Sequence, residues 1–158
     1  MIYEGWHVYV DGSYDPSGNR GGWGFVAYNG GVEVSNDCGP VTDGDNGTAE
    51  LVALLRALHW IAGNAPDEAA VVFSDSAYIV NGCNQWRRMW RANGWRRSTP
   101  NGKGRRRAIP YAELWQQIDA ILSANPQLRL AWCKGHATTE GNLRADALAS
   151  VGRQSSKN

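Results

Sequence analysis

The chain has 158 residues, 42% of them apolar, and its 16 Lys and Arg against 15 Asp and Glu leave a formal charge of +1. That length suits one globular domain, which buries about two thirds of its unfolded surface without disulfide or metal staples. Arg56 and His59 interrupt the longest apolar stretch, residues 51–62, and the N-terminus shows neither a basic run nor a cleavable apolar one, so a cytoplasmic protein without membrane span or export signal is expected. Cys38, Cys83 and Cys133 are odd in number and widely spaced, with no CxxC pair and no adjacent His cluster, which predicts reduced structural thiols rather than a zinc site.

The first strand is expected over residues 6–14 and holds the run Val8-Tyr9-Val10-Asp11-Gly12-Ser13. An aspartate inside a β-branched and aromatic run opposes strand propensity, and burying a lone charge is expensive unless something pairs with it. Asp11 therefore reads either as the anchor of a metal site or as a rim residue capping a turn at Gly12-Ser13. A second strand over residues 23–28, the hairpin signal Asn29-Gly30-Gly31 and a third strand over 32–38 complete an antiparallel meander. Residues 39–47 are rich in turn formers, with Asp45 or Asn46 as N-cap of a helix over 48–62 whose buried stripe is Leu51, Leu54, Leu55, Leu58, Ile61 and Ala62. Glu50 stands in the first turn, where a carboxylate suits the helix dipole whether or not it has a further role.

Residues 69–73 form a short apolar run suited to a strand covered on both faces, and Asp75 follows it within Ser74-Asp75-Ser76. A helix is expected over 76–84, another over 111–122 through Leu114, Trp115, Ile118, Ile121 and Leu122, and a last strand over 128–133 with Trp132 in the core. Lys134-Gly135-His136 opens a polar loop, and a final helix over 142–151 sets Asp146 one turn beyond Asn142 on the same face. His59 reads as a helix-surface or satisfied core residue, and His7 is given no role. A meander followed by two helix-connected strands predicts a mixed α/β sheet, in which sites gather at the strands' carboxyl ends.

Charge is distributed unevenly. Residues 87–107 hold Arg87, Arg88, Arg91, Arg96, Arg97, Lys103, Arg105, Arg106 and Arg107 and no acid, which leaves the remainder at −8. An acidic body with one basic projection favours a polyanion on the projection and a divalent cation in the body. Carboxylates gathered from Asp11, Glu50, Asp75 and Asp146 would raise one another's pKa unless cations neutralised them. An all-oxygen donor set points to Mg²⁺ or Mn²⁺, and two such ions about 4 Å apart suit an in-line attack on phosphorus.

Asp11-Gly12-Ser13 before a glycine-rich turn, Ala49-Glu50-Leu51, Ser74-Asp75-Ser76, and Lys134-Gly135-His136-Ala137 followed by Asn142 and Asp146 resemble, in order and spacing, the type 1 ribonuclease H family. The resemblance spans residues 6–151. It implies a five-stranded mixed sheet, three antiparallel strands then two parallel, flanked by helices and bearing a basic protrusion. One domain over residues 1–152 is expected, with the protrusion at about 84–108 and a flexible tail over 153–158. It further implies hydrolysis of the RNA strand of RNA–DNA hybrids to 5′-phosphate and 3′-hydroxyl ends. Asp11, Glu50, Asp75 and Asp146 would bind two Mg²⁺ ions, or Mn²⁺ in their place, and His136 would assist proton transfer or product release. Hybrid contacts are implied for Gly12, Ser13, Asn46 and Asn142, and in the protrusion for Trp86, Arg87, Arg88, Arg91, Trp95, Arg96 and Arg97. The spacing of Trp86 and Trp90 also suits packing of the protrusion itself. A monomer without an obligate partner is expected.

The chain departs from that family at Gly47 and Thr48, where many members carry Asn or Gln and then Arg, and at Ala77, where bacterial members often have Gln. Asp43 and Asp45 add negative charge nearby, while Asn46 is retained. These changes predict weaker hybrid binding than in relatives, improved by Gly47→Asn. A silent hybrid-binding module and a DNA nuclease on the same sheet are the alternatives, because a fold alone does not fix substrate.

Overall fold

The computed structural model describes residues 5–97, 107–134 and 139–155. His136, Lys103, Arg105 and Arg106 lie outside the described residues. Strands β1 (Trp6–Asp15), β2 (Arg20–Asn29) and β3 (Val32–Val41) form the antiparallel meander. Strands β4 (Ala70–Ser74) and β5 (Leu128–Trp132) extend it in parallel, giving the order β3-β2-β1-β4-β5, the mixed sheet expected from the sequence. Gly12 and Ser13 do not turn: they continue β1 and pair with Trp23 and Gly22.

Among the described residues the helices are α1 (Asn46–Asn64), α2 (Ala77–Asn81), α3 (Arg87–Ala92), α4 (Ala112–Ala124) and α5 (Glu140–Gln154), with α1 and α5 packed directly on the sheet. Helix α1 starts as capping chemistry dictates, the Asp45 carboxylate accepting from the Thr48 N–H at 2.9 Å. Its buried stripe is Ala49, Leu51, Ala53, Leu54, Ala57, Leu58 and Ile61; Leu55 and Ala62 are half-buried at its margin. Strand alternation then sorts the layers. Val8, Val10 and Phe25 face α1 and α4 in the main core, whereas Tyr9 and Val26 face Ala145 and Leu148 of α5.

Two glycines decide how closely helices approach. A Cβ on Gly12 would lie 2.5 Å from the Ala49 carbonyl carbon, and one on Gly24 would lie 2.6 Å from the Ala149 nitrogen. Backbone therefore rests on backbone on both faces of the sheet. Helix α5 begins earlier than expected and runs to Gln154, past Gly152, so residues 153–155 are not tail: Arg153 donates to the Ser13 hydroxyl at 3.0 Å.

Helices α2 and α3 join through one five-residue π turn, Gly82–Trp86, where the Trp115 ring sits so close that a Cβ on Gly82 would be 2.2 Å away. The root of the basic projection is aromatic. Trp90 meets Trp115 edge-on at 5.1 Å, Trp86 lies 5.8 Å from Trp90, and the fully buried Trp115 donates its indole N–H to the Tyr78 hydroxyl at 3.0 Å. The packing role weighed for Trp86 and Trp90 is thus the one their rings perform. Past Trp95 the chain returns through the Arg96–Ala108 bridge, with the Arg97 N–H donating to the Arg107 carbonyl at 2.7 Å.

Arg87 departs from its expected hybrid contact. It is 8% exposed, and its guanidinium donates to the Cys83 carbonyl and to Asp119, both at 2.7 Å, and to Ser123 at 3.2 Å. Arg91 also binds Asp119, at 3.1 Å, so one buried carboxylate anchors two arginines of α3. Removing one partner of a buried pair leaves an uncompensated charge. Asp119→Ala is therefore expected to destabilise the fold by about 3–5 kcal/mol, and Arg87→Leu/Asp119→Leu to recover most of that loss. Urea unfolding of the three proteins checks this; equal losses in single and double variants would assign the effect to packing.

Candidate active site

The parallel ladder between β1 and β4 ends at the pair Tyr9 and Phe73. Asp11 stands two residues beyond that rung on β1 and Asp75 two residues beyond it after β4, so equal offsets bring the two carboxylates out side by side. Although Asp11 lies in the middle of β1, it sits at the carboxyl end of the parallel part of the sheet, where such folds place their sites. On β2 its partner is Gly24. The backbone of α5 crosses over that glycine, the Ala145 carbonyl lying 2.9 Å from where a Cβ would be, and delivers Asp146 to Asp11. On the other face Gly12 does the same for α1; the helix starts at Asn46, so its first turn holds no acid and Glu50, expected there, stands in the second turn beside the Ala49 contact.

The electrostatics follow from this packing. Burial, then the charges of Asp75 and Asp146, push the Asp11 carboxyl up to about 8, although the Gly12 N–H donates to it at 2.9 Å. Burial and Asp75 also raise Glu50, against hydrogen bonds from Ser76 and Asn46. Burial with Asp75 and Asp11 pushes the Cys133 thiol up to about 11. Away from these carboxylates, ion pairs at 2.7–3.2 Å join Arg87 and Arg91 to Asp119 and Arg144 to Glu33. Among the described residues no three His, Cys, Asp or Glu side chains close into a cage; the carboxylates interact in pairs that share Asp75 or Asp11. Buried, mutually repelling oxygen donors suit a hard divalent cation.

The other expected site residues divide. Asn46 reaches Glu50, and Gly12 is the seat of α1. Ser13 is held by Arg153. Asn142 departs from its expected role as a hybrid contact: it is 2% exposed and accepts the Cys133 S–H at 3.7 Å, bracing the end of β5 against α5. Arg88, Arg96 and Arg97 are exposed, Trp95 is half-buried, and Arg91 is exposed while bound to Asp119. His59 is on the helix surface, and the His7 ring stacks on Phe73 at 5.8 Å. Trp132 is not core. It is 56% exposed, and its indole N–H donates to the Asp75 carbonyl at 3.2 Å, beside the site.

Two features escaped the sequence. Asp45 adds no loose charge, because Thr48 and the Tyr111 hydroxyl bind it, the latter at 2.7 Å, and hold its carboxyl below the usual range. Tyr111 lies over Gly47 so closely that a Cβ there would be 2.6 Å from its hydroxyl oxygen. Gly47→Asn would therefore displace Tyr111 before it gained any hybrid contact. A glycine in the first turn of a helix was the available signal, since it marks a close approach.

A meander extended by two parallel strands, with acidic side chains past the last rung of the central pair, defines a nuclease-type α/β domain. A profile described as RNase H matches residues 4–154. Over 152 residues the chain is 34% identical to the ribonuclease H of Chromobacterium violaceum, with 94% of each chain covered. It is 37% identical to that of Methylorubrum extorquens over 150 residues, 93% of this chain but 59% of that longer relative. A foamy viral protease–reverse transcriptase in complex with RNA/DNA hybrid superposes with a TM-score of 0.82 at 20% identity, over 96% of this chain and 20% of that one. The chain belongs to the ribonuclease H family.

The Asp11 carboxyl yields a prediction for the metal-free protein. Its pKa in the folded chain, about 8, exceeds the ordinary 3.8, so its contribution to stability is complete below pH 4 and disappears as pH rises through 8. In EDTA the melting temperature should fall over that interval, and Asp11→Asn should flatten the fall. Added Mg²⁺ should raise the melting temperature more at high pH than at low. Thermal unfolding across pH measures all three, and a variant profile parallel to the wild type would count against it.

Proposed function

We propose that the chain is an endonuclease that hydrolyses the RNA strand of RNA–DNA hybrids, leaving 5′-phosphate and 3′-hydroxyl ends. The observation that carries this is the placement of Asp11 beside Asp75 and Asp146 past the last rung of the parallel ladder, with its carboxyl pushed up to about 8, in a chain of the ribonuclease H family. Asp11, Glu50, Asp75 and Asp146 would hold two Mg²⁺ ions, or Mn²⁺ in their place. Such ions activate the attacking water and stabilise the leaving oxygen.

The chain's own residues position the rest. Ser76 and Asn46 donate to Glu50, and the indole of Trp132 fixes the backbone that carries Asp75. His136 is proposed to move the proton of the leaving group or to assist product release. The exposed Arg88, Arg96 and Arg97, with Trp95, are proposed to hold the DNA strand through its phosphates; the buried Arg87 braces the helix that carries Arg88. RNA would be told from DNA by its 2′-hydroxyls, met by Gly12, Ser13 and Asn46. Cys38, Cys83 and Cys133 are unpaired, which fits action in a reducing compartment such as the cytoplasm, and we propose a monomer. No helix among the described residues is long and apolar enough to cross a membrane.

The test is cleavage of a strand-labelled hybrid with Mg²⁺, Mn²⁺ or EDTA, beside duplex RNA, duplex DNA and Asp11→Asn. Only the RNA strand of the hybrid should be cut, only with metal, and the variant should lose about a hundred- to a thousandfold in kcat, the range found for loss of one electrostatic stabiliser. Hybrid binding without cutting would leave a binding module; cutting of duplex DNA alone would reassign the substrate.

A further inference from the structure

Tyr111 belongs to no role assigned so far, yet the structure holds it under constraint. Its φ of 59° and ψ of 31° place it in the left-handed region, which an aromatic residue occupies only when its surroundings require it. Capping does not explain the conformation, since the side chain makes no cap hydrogen bond to α4. What the conformation achieves is the placement of the phenol. Its hydroxyl donates to both Asp45 oxygens, at 2.7 and 2.8 Å, and its ring covers Gly47, where any side chain would collide with it. Asp45 in turn caps α1 through Thr48, and Glu50 lies two residues further on. Close by in the chain, the Ile109 N–H donates to the Trp95 carbonyl at 3.1 Å, closing the base of the projection.

We infer that Tyr111 is a positioning residue: through Asp45 it sets the first turn of α1, and with it the Glu50 carboxylate, against the base of the basic projection. This rests on the proposed role of Glu50. Gly47 is the complement of Tyr111, the vacancy into which the ring fits. The residue thus ties the part of the chain that holds the polyanion to the part that carries the carboxylate.

The test combines hybrid cleavage with two readouts that need no turnover. Tyr111→Phe keeps the ring and removes the donor; it should lower kcat about tenfold, the worth of one hydrogen bond to a charged group, while KM stays within about twofold. Gly47→Ala should reproduce the Tyr111→Phe loss, and should add nothing in Tyr111→Gly, whose backbone adopts the left-handed region without strain. Mn²⁺ affinity followed by thermal shift should weaken in Tyr111→Phe, in the same direction as expected for Glu50→Gln, and amide exchange at Thr48 should quicken. Should wild type fail to cut the hybrid, the function reading falls while cation affinity and exchange still decide this one. A Tyr111→Phe protein that melts lower but keeps kcat and Mn²⁺ affinity would overturn the inference, as would additive effects at positions 47 and 111.

Discussion

A carboxylate on an inward-facing position of the central strand is the constraint on which this structure depends. Asp11 shares its face of the sheet with Tyr9, under α5, and it cannot shift by one residue without turning Val8 and Val10 out of the core. The register that buries the valines therefore also buries the charge. Asp75 and Asp146 then surround it with charge of the same sign, which raises its pKa further. An arrangement that opposes its own ionisation persists because the rest of the fold, with Leu51, Leu54, Leu58, Ile61, Trp115 and Ile118 fully buried, is stable enough to carry it.

The sheet delivers these groups by leaving out side chains. Gly12 and Gly24 are neighbours in the β1–β2 ladder on opposite faces, and each admits the backbone of one helix, α1 through Ala49 and α5 through Ala145 and Ala149. A methyl group at either would push a helix outward, and with it the acidic residue next to the contact. Small residues here set a distance between functional groups, and the stability forgone by not packing larger ones is supplied by the leucine-rich stripe of α1.

How much of this was legible follows from the kind of signal each residue gives. Strands, hairpin and amphipathic helices were readable because alternation and helical spacing are local, and the order of the acidic motifs placed Asp11, Glu50, Asp75 and Asp146 in one region. Trp132 was misassigned for an instructive reason. It has the same parity as Leu128 and Leu130, which are buried, so the pattern is right about the face; but the strand outruns the layer that covers that face, and the ring emerges beside Asp75. Alternation reports which side of a sheet a residue is on, not how far the cover extends. The Tyr111–Asp45 contact joins residues 66 apart in the chain and left no periodic trace.

The basic projection shows the same limit for charge. Nine bases in residues 87–107 read as one polyanion surface, yet Arg87 and Arg91, one helical turn apart, point back to Asp119 on the buried face of α4. A helix that presents cations to a polyanion needs an anchor that does not compete for it. Burying Asp119 with Arg87 supplies that anchor where solvent ions cannot screen it, whereas Arg88, Arg96 and Arg97 remain exposed. The division within one short helix is steric: residues four apart face α4, and Arg88 faces away. Net charge of a segment therefore overstates the charge it offers to a ligand, and the count that governs binding is of arginines with no carboxylate within reach on the neighbouring helix.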